Sequence, residues 1–131
     1  MAKKQIRTKV IKKEERRITN GRVYVTATFN NTLITLTDTE GNTLAWGTSG
    51  SAGFKGARRS TPFAAISAME KVAQTAKGFG MYSVEVYIKG PGSGRDATTK
   101  ALKGAGINIT LIADVTHIPH NGPRPKKRRS V

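Results

Sequence analysis

The chain contains no cysteine. That excludes disulfide bridges, thiolate-held zinc and a cysteine nucleophile, and it fits a cytosolic location. Long hydrophobic runs are missing as well. The longest apolar stretches are only a few residues, far short of the roughly 20 that a membrane-spanning helix needs. No N-terminal h-region is present, so nothing points to secretion. Acids are scarce, with 8 Asp and Glu against 23 Lys and Arg, which leaves a net charge of +15. Such a surplus repels itself unless a polyanion compensates it, and nucleic acid is the commonest such partner. An acidic membrane surface is the second, but the basic termini lack the Leu, Phe and Trp that an interfacial helix inserts. Aromatics are few, and Tyr24, Trp46, Tyr82 and Tyr87 sit on strand-like segments where core or sheet packing is the default. The motif of an RNA-recognition sheet is absent around them. Recognition by shape and phosphate is therefore favoured over reading of single-stranded bases.

The excess charge is concentrated at the ends. Residues 1–17 hold eight bases and two acids, and residues 115–131 hold five bases and no acid. The segment between them carries ten bases and six acids, an ordinary globular balance. The expected organisation is a basic N-terminal arm over 1–17, one globular domain over 18–115, and a basic, proline-containing tail over 116–131, a length suited to a single domain.

Within the body, residues 22–30 alternate strictly, with Val23, Val25, Ala27 and Phe29 on one side, and so predict a strand. Asn30-Asn31 follows as a turn, since Asn tolerates the left-handed conformation. Strands over 32–37 and 43–47 complete an antiparallel meander. Glycines at 47, 50, 53 and 56 then break regular structure among Lys55, Arg58 and Arg59. Ser60-Thr61-Pro62 reads as a capped helix start. That helix runs to about Ala76, with Phe63, Ile66, Met69, Val72 and Ala76 near one face, and stops at Lys77-Gly78. A fourth strand over 82–88, a short helix over 96–103 and a fifth strand over 107–115 follow, as a right-handed parallel crossover. The fold class is α/β, a mixed five-stranded sheet with two helices packed on it.

Two segments suit phosphate. Gly90 to Arg95 places three glycines, Gly90, Gly92 and Gly94, before a helix, where backbone can approach an anion and Arg95 adds charge. A tight strand-to-helix turn needing glycine for φ explains the same residues equally well. Neither nucleotide fingerprint fits, because no Gly-Lys-Ser/Thr triplet exists and Arg95 stands where the dinucleotide motif needs glycine. Lys55, Arg58 and Arg59 suit a loop lying on a phosphate backbone, although a plain surface loop would look the same. Catalysis finds little support. His117 and His120, with Asp114, are separated by Pro119 and diverge on extended chain, so no metal site or metal cofactor is expected. A metal-dependent nuclease would draw on the body acids Asp38, Glu40, Glu70, Glu85, Asp96 and Asp114, and the first strand carries none of them.

Five stretches carry a resemblance across nearly the whole chain. They are Phe29-Asn30-Asn31-Thr32, Gly53-Phe54-Lys55-Gly56, Thr61-Pro62-Phe63-Ala64-Ala65, Lys89-Gly90-Pro91-Gly92-Ser93-Gly94-Arg95-Asp96 and Pro119-His120-Asn121-Gly122. Taken in order and followed by a basic tail, they resemble the small-subunit ribosomal protein S-eleven family, of bacterial type. The resemblance implies a ribonuclease H-like fold with sheet order 3-2-1-4-5, no enzymatic activity, and a place in the cytoplasmic ribosome. It implies binding to small-subunit ribosomal RNA on the platform, near the exit site, messenger RNA and the Shine–Dalgarno helix. Proteins S-seven, S-eighteen and S-twenty-one are the implied neighbours, with no membrane partner and no homo-oligomer. The implied RNA-binding residues are Asn30, Asn31, Lys55, Arg58, Arg59, Gly92, Gly94, Arg95, His120, Asn121, Arg124, Lys126, Lys127, Arg128 and Arg129.

Overall fold

Alternation of buried and exposed residues at Val23, Val25 and Ala27 gives β1, Asn20–Ala27, one apolar face. A computed structural model describes residues 18–128; the basic arm over 1–17 and the last three residues, Arg129 among them, lie outside the described residues. β1 pairs antiparallel with β2, Thr32–Asp38, which pairs antiparallel with β3, Thr43–Thr48. On its other side β1 runs parallel to β4, Ser83–Lys89, and β4 runs parallel to β5, Asn108–Asp114. The sheet order is therefore β3-β2-β1-β4-β5, the order the resemblance implied. Two helices, α1 (Pro62–Gly78) and α2 (Gly94–Gly104), complete the α/β body.

α1 begins where a Thr-Pro pair dictates. Thr61 is extended, its side-chain oxygen accepts from the Ala64 amide at 3.3 Å, and Pro62 needs no amide partner in the first turn. The buried face is built from small residues, Ala64, Ala65, Ala68, Ala73 and Ala76, with Met69 and Val72. Small side chains let the helix lie close on the sheet. At Gly47 of β3 a Cβ would stand 2.9 Å from Val72 Cγ2. The core beneath the helix is Val23, Val25, Ile34, Leu36, Val84, Val86 and Ile88, joined by Leu102 from α2 and Ile107.

Four details differ from the sequence-based expectation. β1 stops at Ala27, three residues early, because Thr28 opens a tight turn: its amide donates to the Asn31 carbonyl at 2.9 Å and its hydroxyl oxygen accepts from the Asn31 amide at 3.0 Å. Phe29 consequently leaves the core face and is 75% exposed. Neither Asn30 nor Asn31 adopts positive φ; among non-glycine described residues only Asn121 does, at 54°. Phe63 is not on the buried face of α1 but stands outside it, edge-on to Phe54 at 5.7 Å between ring centres. The helix also runs through Gly78, and the left-handed residue that ends it is Gly80 at φ 79°.

The other face of the sheet is covered by neither helix. Trp46, Thr35, Tyr24, Tyr87 and Ala113 form one register line across all five strands. Tyr24 and Tyr87 stack at 5.3 Å, and Trp46 is 67% exposed rather than packed in a core. Glu85 accepts from the Tyr87 hydroxyl at 2.9 Å and lies 3.5 Å from Arg22 Nε. That hydrogen bond is the main reason the Tyr87 hydroxyl is pushed above its ordinary pKa. Among the described residues, no helix is long and apolar enough to cross a membrane.

Candidate nucleic-acid interface

β1, β3, β4 and β5 all point the same way, so their carboxyl ends share one end of the sheet. Four segments leave from that end: the turn at 28–31, the loop at 49–61, the junction at 90–93 and the tail from Val115 onward. Crevices outside strand carboxyl ends are where open α/β sheets bind ligands. The opposite end carries the turn after β2, with Asp38 and Glu40, and Ile18, whose amide donates to the Phe79 carbonyl at 3.0 Å.

Every site residue expected from the sequence between 18 and 115 emerges at or beside this one end. Asn31 Oδ1 accepts from the Thr32 amide at 2.8 Å, which holds the first turn in shape. Ser49, Ser51 and Thr48 fold the next loop back on itself, with reciprocal bonds between Thr48 and Ser51 at 2.8 and 2.9 Å. Lys55 leads into a 3-10 turn, Gly56–Ser60, in a stretch expected to lack regular structure; Arg58 and Arg59 occupy it. Lys55, Arg58 and Arg59 are exposed, and none forms an ion pair with a described acid. The loop is anchored by apolar contact between Phe54 and Phe63, and by Lys71 Nζ donating to the Ser51 carbonyl at 3.2 Å.

At Gly90 the junction needs glycine for its φ of 99°, whereas at Gly92 and Gly94 it needs glycine for room. Gly92 and Gly94 are buried, and neither has positive φ. A Cβ at Gly92 would stand 2.3 Å from the Thr28 carbonyl oxygen, and one at Gly94 2.3 Å from Thr32 Oγ1. The Gly92 amide donates to the Ala27 carbonyl at 2.9 Å. These glycines let the junction sit directly on the β1–β2 turn. Between them, Ser93 stays exposed and donates its hydroxyl to the Ser60 carbonyl at 2.7 Å.

Arg95 faces inward. Its Nη1 donates to the Gly90 carbonyl at 2.7 Å and its Nη2 to Asp114 Oδ2 at 2.8 Å. Asp114 Oδ1 accepts from the Thr116 amide at 2.9 Å and from its hydroxyl at 2.5 Å. The Thr116 hydroxyl oxygen in turn accepts from the Gly90 amide at 3.0 Å. Thr116 first, then Arg95, holds the Asp114 carboxyl well below the usual carboxylate range. Beyond Thr116, residues 117–128 are exposed and form no strand or helix, so His120, Asn121, Arg124, Lys126, Lys127 and Arg128 all project from the body. Asp114 and Thr116 were not singled out as partners by sequence reasoning; the only signal was an acid beside a basic tail. Among the described residues no group of three or more His, Asp or Glu side chains could hold a metal ion.

The family model for "Ribosomal protein S11" matches residues 21–130, most of the chain. The chain belongs to the ribosomal protein S11 family. Membership gives it the family's general role, a structural and non-enzymatic constituent of the small ribosomal subunit that binds ribosomal RNA in translation.

Proposed function

We propose that this chain holds small-subunit ribosomal RNA at the carboxyl end of its sheet, through exposed bases on two of the segments that leave it. Lys55, Arg58 and Arg59 lie against the phosphate backbone from one side, and Arg124, Lys126, Lys127 and Arg128 from the other; Arg129, outside the described residues, extends the same run of charge in sequence. His120 and Asn121 anchor the tail just before its charges. Asn30 and Asn31 offer side-chain amides at the turn between them. Gly92 and Gly94 shape the floor, and Arg95 adds charge behind it. The observation that carries this reading is convergence: segments far apart in sequence leave the fold side by side, and among the described residues Lys55, Arg58, Arg59 and the tail bases stand on them exposed and without an ion-pair partner. Arginine forks bind phosphate oxygens bidentately, while lysines act as point charges.

The finer placement follows the resemblance. The body is ribonuclease H-like, and it sits on the platform near the exit site, messenger RNA and the Shine–Dalgarno helix, with S-seven, S-eighteen and S-twenty-one as protein neighbours. The five-stranded order β3-β2-β1-β4-β5 supports the ribonuclease H-like reading of the body. Chemical footprinting of small-subunit RNA, with the full chain and with a Lys55, Arg58, Arg59 triple-alanine variant, tests the proposal. Loss of a compact set of protections in the variant is expected. An unchanged footprint would remove this loop from the interface.

A further inference from the structure

The acid at the basic end of the molecule needs an explanation. Asp114 sits where the tail leaves β5, beside a surface that presents bases to a polyanion. An unpaired carboxylate there would repel phosphate. Its two oxygens are instead both engaged, one by Arg95 and one by Thr116.

The same few atoms fix the start of the tail. The Val115 amide donates to the Ile88 carbonyl at 2.8 Å, the last bond of the β4–β5 ladder. Thr116 then turns back onto Asp114 and receives the Gly90 amide. Gly90 therefore has its amide held by the tail and its carbonyl held by Arg95. From residue 117 to residue 128, no hydrogen bond to the body follows among the described residues. The direction in which the tail departs is set here and nowhere further along.

We infer that Arg95 and Asp114 are positioning residues for the C-terminal tail, forming with Thr116 and Gly90 a clamp that aims its bases at the RNA. This rests on the proposed reading that the tail binds RNA. Arg95 then acts through Asp114 rather than through a phosphate of its own. A tail launched in a fixed direction loses less entropy on binding than one that departs freely.

The charge arithmetic gives an outcome that a direct-contact role does not share. Asp114→Asn makes the protein more basic, so electrostatics alone predicts tighter RNA binding. The clamp predicts weaker binding, by about fivefold, as expected for loss of a partly exposed charged hydrogen bond. Arg95→Gln should weaken binding to a similar degree with no change in the salt slope. Combining the two substitutions should cost little more than either alone, because both break one unit. Thr116→Val keeps every charge and should also weaken binding.

The experiment measures affinity of the full chain for small-subunit ribosomal RNA across a salt series, with amide exchange of Val115 and Thr116 in the free protein. Faster exchange in Asp114→Asn together with weaker binding is the expected result. Equal or tighter binding by that variant, or a salt slope lowered by about one in Arg95→Gln, would overturn the inference. Deleting residues 124–131 provides the separate check. If the deletion leaves affinity unchanged, the tail reading fails and the clamp has no RNA to aim at. If it lowers affinity while Asp114→Asn leaves exchange and binding intact, the clamp alone fails.

Discussion

Ser93 and Ser60, 33 residues apart in sequence, are joined by a 2.7 Å hydrogen bond from the Ser93 hydroxyl to the Ser60 carbonyl. That bond ties the junction before α2 to the end of the turn carrying Arg58 and Arg59. Ser93→Ala should cost about 0.5–1.5 kcal/mol of stability, the net worth of one such bond. Urea unfolding measures the loss. RNA affinity should fall as well, since the two segments no longer hold a common position; unchanged affinity would show that the loop keeps its place without the bond.

Substituting Gly92 by alanine should be far more damaging than its small volume suggests. The added methyl meets the backbone of Thr28, which has no rotamer to give way. A loss of roughly 1–3 kcal/mol is expected, again readable by urea unfolding. Gly53, where a side chain would meet nothing within 4 Å but φ is 100°, provides the contrast. Its alanine variant should suffer from backbone strain alone, at about 1 kcal/mol.

Salt dependence separates loop from tail. Logarithmic affinity for RNA should fall linearly with logarithmic salt, each neutralised phosphate adding about 0.7–0.9 to the slope. Replacing Lys55, Arg58 and Arg59 by alanine should lower the slope by about 2–3. Truncation before Arg124 should lower it further, and the two effects should add because the bases on each segment act independently.

Acid sensitivity should be concentrated at two carboxylates. Amide donation by Asn42 is the main reason Asp38 titrates below its ordinary 3.8, with Glu40 and Gly41 contributing, and Asp114 is lowered by Thr116 and Arg95. A lowered folded pKa gives stability that is fully present above the unfolded value and lost as pH falls through the folded one. Stability should therefore drop on acidification below about pH 4. Asp38→Asn should be less stable at neutral pH and show a shallower acid limb. Denaturant midpoints followed from neutral to acid pH provide the measurement.

Much of the architecture was legible because the chain is locally consistent. Strict alternation at Val23, Val25 and Ala27, and the Thr61-Pro62 cap, have one physical reading each. Phe29 shows where alternation misleads. The pattern continues past the strand, but the Thr28 hydroxyl competes for the Asn31 amide and turns the chain first. Phe63 was misplaced because a periodic count cannot see that alanines, not aromatics, fit a helix pressed against Gly47. The basic site residues were visible as charge and glycine. The clamp was not, because Arg95, Asp114 and Gly90 meet only once β4 and β5 are paired.

Ile18, the first described residue, and Val115, where the tail leaves β5, lie at opposite ends of the sheet. Strands of seven or eight residues set these exits roughly 20–25 Å apart. Such a body is a spacer one strand long between its two ends. An RNA held at the carboxyl end, as proposed, therefore stands more than a Debye length, about 8–10 Å at ordinary salt, from Asp38 and Glu40 at the other end, and the negative charge of those acids is screened from it.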